Sequence, residues 1–165
     1  MKKLVMRFLE LAKADNVDPT GETSNIGEVI SKIKSNLVFD EFDIDSEKMS
    51  AENLKISPDN LELILRNLLR NSMEHGASKV KLSSKNSEKG FDLIIFDNGQ
   101  GISQGNKEKI FTAFFTTKRE KGGTGLGLDI VKSILISHGG DIRLMDSNQG
   151  AKFNLLIPIE YSKAI

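Results

Sequence analysis

Four short stretches of this sequence combine residue types able to handle a phosphorylated, aromatic ligand. In Asn67-Leu68-Leu69-Arg70-Asn71-Ser72-Met73-Glu74-His75 the two asparagines stand four apart, on one face of a helix. Asparagine suits helix interiors poorly, so two on one face call for a reason. A carboxamide oxygen is a hard, neutral ligand that suits magnesium bound mainly through phosphates and water. The competing reading is a pair of solvated polar residues on an amphipathic helix. In Asp97-Asn98-Gly99-Gln100-Gly101-Ile102 the carboxylate can accept from an exocyclic amine such as that on adenine. Gly99 and Gly101 would let the backbone approach a flat ring. An Asn-Gly hairpin turn is the alternative, although no strand follows: residues 103–109 are polar and helix-like.

The third stretch, Phe111-Thr112-Ala113-Phe114-Phe115-Thr116-Thr117-Lys118, sets three phenylalanines beside a polar Thr-Thr-Lys end. It reads as a segment folding over something, with Lys118 meeting a phosphate as a point charge, or as aromatic anchors for the core with a solvated lysine. The fourth is Gly122-Gly123-Thr124-Gly125-Leu126-Gly127-Leu128, leading into a helix. Glycine-rich backbone before a helix N-terminus presents unpaired N–H groups and the positive end of the dipole, which suits a polyphosphate. It is neither the Walker arrangement nor the Rossmann fingerprint, having no Gly-Lys-Ser/Thr and no buried strand before it. A flexible connection is the alternative.

The elements that must position these stretches follow from periodicity. Ser57-Pro58-Asp59 opens the strongest helix, with Leu61, Ile64, Leu65, Leu68, Leu69 and Met73 as its stripe and Gly76 as its end. Residues 79–84 and 91–96 read as strands joined by a polar turn, so Asp97 directly follows a strand. The connection 97–123 is long, a length usually functional, with a short helix expected at 107–114. A second core helix spans 126–137 and ends at Gly139-Gly140, and strands at 141–146 and 151–157 form a hairpin. Upstream, Ser24 or Asn25 caps a helix carrying Ile26, Val29, Ile30, Ile33 and Leu37, and 37–44 alternates partly, as a strand would. Residues 2–14 read as a separate helix and 15–23 as a linker. The order favours helices on one face of a mixed, mostly antiparallel sheet.

Composition narrows the classes. With 165 residues the chain suits one domain. The 23 basic and 23 acidic residues cancel, so nothing pulls the whole chain toward nucleic acid or an anionic membrane. Cysteine is absent, which excludes a disulfide scaffold, a thiolate zinc site and a cysteine nucleophile. A reducing cytoplasm is the simplest setting. No apolar run approaches the length of a membrane span.

Taken together, Asn67 to His75, Asp97 to Ile102, Phe111 to Lys118 and Gly123 to Leu128 resemble the successive nucleotide-binding boxes of bacterial sensor histidine kinases. Ile130-Val131-Lys132, His138-Gly139-Gly140-Asp141-Ile142 and Gly150-Ala151-Lys152-Phe153 are similar too, and the likeness runs from about Ile26 to Ile159. It implies the Bergerat (GHKL) ATPase fold, an α+β two-layer α/β sandwich, for residues 24–165. Residues 1–23 would then be the remnant of a dimerisation helix plus linker. It further implies ATP and Mg2+ as cofactors. Asn71 would hold the metal and Asp97 the adenine amine, with Gly99, Gly101 and Ile102 around the base. Thr117 and Lys118 would sit in a lid, and Gly123, Thr124, Gly125, Leu126, Gly127 and Leu128 around the phosphates. Gyrase-like relatives carry a glutamate base where this chain has Asn67. An amide takes no proton from water at neutral pH, so Asn67 favours phosphoryl transfer over hydrolysis.

The sequence departs from the family at Glu74, where many sensor kinases carry a phosphate-binding lysine. Lys118 would supply charge instead, or His75 a hydrogen bond. Neither His75 nor His138 sits in an N-terminal helix. The phosphoacceptor is therefore expected on a histidine-bearing dimerisation domain elsewhere in a parent protein, with a response-regulator receiver domain downstream. Membrane attachment would come only through further parts of that parent. A free-standing anti-sigma-type serine kinase of the same fold is the alternative. A gyrase-like switch and a module that only binds nucleotide or protein are further readings.

Overall fold

A computed structural model of the chain describes residues 21–36, 42–46, 49 and 53–160. The expected helix at 2–14, most of the linker and residues 37–41 of the partly alternating stretch lie outside them. Helix α1 (Ile26–Asn36) begins where the Asn25 carboxamide accepts from Gly27 N and Glu28 N, so Asn25 rather than Ser24 is its cap. Ser24 instead exchanges backbone hydrogen bonds with Leu54. Ile26, Val29, Ile30 and Ile33 form the buried face.

Helix α2 (Pro58–Glu74) starts as its sequence dictates. Ser57 Oγ accepts from Asn60 N at 3.3 Å and Pro58 fills the first turn. Leu61, Ile64, Leu65 and Leu68 are wholly buried. Each such burial contributes roughly 2 kcal/mol, which is why the helix holds despite its polar outer edge. It ends in a paired turn, Gly76 N to Met73 O and Ala77 N to Ser72 O, with Gly76 at φ +80°. Helix α3 (Gly127–Ser137) closes the same way, Gly139 N bonding Ile136 O and Gly140 N bonding Leu135 O.

Five strands form one sheet in the order β1-β2-β3-β5-β4: β1 Asp43–Ser46, β2 Lys79–Ser87, β3 Gly90–Asp97, β4 Asp141–Met145 and β5 Lys152–Ile157. Strand β1 runs parallel to β2, which requires the crossover that α2 provides. The other pairs are antiparallel. The sheet is therefore mixed and mostly antiparallel. The period of two sends Val80, Leu82, Phe91, Leu93, Ile95, Phe153, Leu155 and Ile157 to the helix-covered face. Asp92 and Asn154, hydrogen-bonded at 3.0 Å, lie on the other. Central strand β3 is hydrogen-bonded on both sides, and its last residue is Asp97.

The expected short helix at 107–114 does not form. A 3-10 turn spans Gln104–Asn106 and further tight turns follow. Thr112 N bonds Lys109 O and Phe115 N bonds Thr112 O, and Phe114 takes a left-handed φ of +64°. The segment has to lower Ile110, Phe111 and Phe115 onto the core while keeping its polar side over a cavity, and successive turns do this where one straight helix would not. The phenylalanines of the aromatic stretch divide between core and surface. Phe111 packs edge-on against Phe153 (centroids 6.3 Å apart) with Lys132 Nζ over its ring, whereas Phe114 is half exposed.

Candidate functional site

The end of β3 builds the floor of the site. Asp97 is 4% exposed, and a carboxylate that deep must be met by donors. Gly99 N (2.9 Å) and Ala151 N (3.0 Å) donate to Oδ1, and Ser72 Oγ (2.8 Å) donates to Oδ2. A carboxylate offers about four acceptor positions. One therefore remains, on Oδ2, in a residue that lines a cavity of about 750 Å³. Asn98 fixes the turn that follows: its Oδ1 accepts from Ser78 N and Lys79 N, and its Nδ2 reaches Ser78 Oγ. Gln100 N then bonds His75 O at the end of α2. Asn98 thus ties the end of β3 to the start of β2, Gln100 ties it to the end of α2, and the Asn-Gly pair makes no hairpin.

The opposite end is a glycine-rich backbone. Lys118 N donates to Thr116 Oγ1, Gly123 N returns to Lys118 O, and the chain enters α3 with no side chain capping its N-terminus. Its first N–H groups and the positive end of its dipole are left for an anion. Gly125 sits at φ +71°, and a Cβ there would stand 2.4 Å from the Phe114 carbonyl carbon. No larger residue allows the Phe114–Phe115 backbone and the glycine loop to approach so closely.

Helix α2 supplies one wall. Asn71 faces the cavity, and among the described residues its carboxamide has no hydrogen-bond partner. Asn67 is 2% exposed; its Nδ2 donates to Leu63 O and its Oδ1 accepts from Arg70 Nη2. The Arg70 guanidinium also lies 3.8 Å from Glu74 Oε1. Burial, helped by the Lys118 charge, pushes the His75 imidazole below its usual value, against the opposing pull of Glu74 and Asp97.

Of the residues singled out from sequence, Asn67, Asn71, His75, Asp97, Gly101, Ile102, Thr117, Lys118, Gly123, Thr124, Gly125, Gly127 and Leu128 all line this cavity. Two do not. Gly99 packs beneath it, where a Cβ would meet His75 O at 2.9 Å, and Leu126 is wholly buried in the core. Sequence reading passed over Ser72, Arg70 and Ala151. The first two are legible in hindsight, because Ser72 adjoins Asn71 and Arg70 shares a face with Asn67 and Glu74. Ala151 carries no local signal, since only the β3–β5 register brings it to Asp97.

A buried acceptor at one end, an uncapped helix N-terminus at the other and a volume typical of small-molecule sites suit an elongated ligand with an aromatic amine and an anionic tail. Among the described residues no group of three or more His, Asp or Glu could hold a metal by itself. No helix among them is long and apolar enough to cross a membrane.

Comparisons with known proteins agree with this geometry. Residues 56–161 match the family described as histidine kinase-, DNA gyrase B- and HSP90-like ATPase. The chain is 33% identical, over 96% of its length, to a protein of Salmonella typhimurium named sensor histidine kinase ZraS, of which it spans 35%. It is 35% identical, over 57% of its length, to sensor histidine kinase CpxA of Escherichia coli, of which it spans 21%. The chain thus covers only about a third or less of these curated relatives. Among solved structures, the ATP-binding domain of PrrB from Mycobacterium tuberculosis superimposes with TM-score 0.70 at 25% identity, covering 84% of this chain and 97% of that one. The full-length ShkA complex with AMPPNP, at 21% identity, shares the fold, with TM-score 0.77 over 98% of this chain and 36% of that one.

Proposed function

Because the chain belongs to the histidine kinase-, DNA gyrase B- and HSP90-like ATPases, we propose that it is the ATP-binding catalytic domain of a sensor histidine kinase. It would bind Mg-ATP and donate the γ-phosphoryl group to a histidine on a dimerisation domain outside these residues. The observation that carries this is the pairing of Asp97, with one acceptor position left, and the uncapped α3 N-terminus at opposite ends of one cavity. The fold is the α+β sandwich expected of that family. Relatives that are named sensor histidine kinases favour this reading over the free-standing serine kinase.

The donor set fits the implied cofactors. Asp97 Oδ2 accepts from the exocyclic amine of adenine, and the three donors already on the carboxylate hold it in register. Asn71 offers an unspent amide oxygen, the single neutral oxygen ligand that suits magnesium shared with phosphates. Bound magnesium supplies charge neutralisation across the phosphates. Backbone N–H groups of Thr124, Gly125, Gly127 and Leu128, and Lys118 at the mouth, meet the anionic tail. Asn67 cannot take a proton from water, which favours phosphoryl transfer over hydrolysis. In the transfer the bond from γ-phosphorus to the bridging oxygen breaks, a bond to an imidazole nitrogen forms, and ADP leaves. A response-regulator receiver domain is the downstream partner in this reading, and the parent protein's own remaining parts decide where it sits in the cell.

The test is calorimetric titration of ATP with and without magnesium, followed by mixing with a histidine-bearing dimerisation domain. Magnesium-dependent binding and phosphate on the added histidine are expected. Failure to bind ATP under either condition would overturn the proposal.

A further inference from the structure

We infer that Arg70 is the residue by which this site tells a nucleoside triphosphate from a diphosphate, its guanidinium turning from Asn67 and Glu74 to the terminal phosphoryl group. This rests on the nucleotide-binding reading above. Arg70 lies directly before Asn71, three residues after Asn67 and four before Glu74, so all four share the cavity wall of α2. Its Nη2 is 3.9 Å from where a Cβ on Gly127 would be, at the junction of the glycine loop and α3. The guanidinium is therefore at the anionic end of the cavity, across from the adenine-facing carboxylate. Its position answers the departure at Glu74: the cation expected there is supplied one turn earlier, and Glu74 carries the opposite charge beside it.

The present contacts leave most of the Arg70 fork unspent. One short hydrogen bond, to the neutral amide oxygen Asn67 Oδ1, uses a single guanidinium nitrogen. The approach to Glu74, at 3.8 Å between side chains 38% and 47% exposed, is too long for a hydrogen bond and well screened. Guanidinium has five donors in a planar fork that matches phosphate oxygens two at a time. A terminal phosphoryl group with two negative charges outcompetes a neutral amide and a distant carboxylate for that fork. A diphosphate ends one unit short and gains little. Glu74 in this scheme is the parking contact, keeping the cation at the mouth when the terminal phosphate is gone.

The experiment is magnesium-dependent affinity for ATP, a non-hydrolysable ATP analogue and ADP, measured by competition with a fluorescent nucleotide. Wild type, Arg70→Met, Arg70→Lys and Glu74→Gln are compared. For Arg70→Met, ATP and analogue affinity should fall about tenfold with ADP within about twofold, the size of a lost charge-assisted hydrogen bond. Arg70→Lys, which keeps charge but not the fork, should lose part of the ATP preference, and Glu74→Gln should keep or increase it. Equal losses for ATP and ADP in both Arg70 variants, or no loss in either, overturn the inference. Wild type binding neither nucleotide overturns the nucleotide reading itself, whereas wild type binding both with Arg70 indifferent overturns only the role of Arg70.

Discussion

Ser72 Oγ stands 2.8 Å from Asp97 Oδ2, joining helix α2 to the end of central strand β3 through two side chains buried to within 4% of completely. The carboxylate is thus oriented before any ligand reaches it. Such preorganisation lowers the ordering cost of binding. Asp97→Asn keeps an oxygen for the Gly99 and Ala151 N–H groups but places an NH2 donor at the Oδ2 position, where it faces the ligand amine. Adenine nucleotide affinity should drop at least about tenfold, with a lower melting temperature. Ser72→Ala should cost about 1 kcal/mol in chemical denaturation and weaken binding less. An Asp97→Asn protein that binds ATP as tightly as wild type would sink the base-end assignment.

The two asparagines should separate cleanly. Asn71→Ala removes an unspent, cavity-facing amide, so melting temperature should barely change while the magnesium enhancement of ATP binding disappears. Asn67→Ala strips a buried amide from Leu63 O and Arg70 and should cost about 1–3 kcal/mol of stability. Parallel thermal melts and titrations decide it. The reverse ranking in the melts would contradict the hydrogen-bond assignment.

Acidity should act through His75. Its imidazole holds a proton less readily in the folded chain than in the unfolded one, chiefly because of burial and then Lys118. The associated stability is fully present above the ordinary imidazole value of 6.5 and is lost as pH falls below it toward the lowered folded value. Melting temperature should therefore decline on mild acidification, and His75→Gln should flatten that decline. Identical pH profiles for the two proteins would remove His75 as the cause.

Gly125 and Gly105 make a matched pair. Gly125→Ala drives a methyl group into the Phe114 carbonyl at a left-handed φ, and should cost about 1–3 kcal/mol or displace the 103–123 segment. Gly105→Ala meets nothing within 4 Å and should stay within about 0.5 kcal/mol of wild type. Denaturation curves and hydrogen exchange over residues 103–123 report both.

Much of this was legible in the residues, because local rules and global fold agree there. Ser57-Pro58 and the leucine stripe specify α2, and Gly76 and Gly139 mark two helix ends. The four chemical stretches were visible because each gathers its distinctive residue types within a short run of consecutive positions. What escaped depends on distance or on competition. The Ala151 N–H reaches Asp97 only through strand register, 54 residues away. The segment 107–114 carries a helix-like pattern, yet the core takes Ile110, Phe111 and Phe115 and bends it into turns. Arg70 reads as an ordinary helix-surface arginine until the glycine loop is packed beside it.

Asp97 closes a strand flanked on both sides, whereas residues 103–123 are strung together by single tight turns with short reach. The two ends of the cavity are therefore expected to differ in local stability, the β3 end opening with the sheet and the 103–123 end by smaller excursions. A ligand gripped at the β3 end has a fixed pivot. Its far end can be uncovered and covered again many times during one residence, so how long the molecule stays and how often its tail is exposed are set by separate parts of the chain.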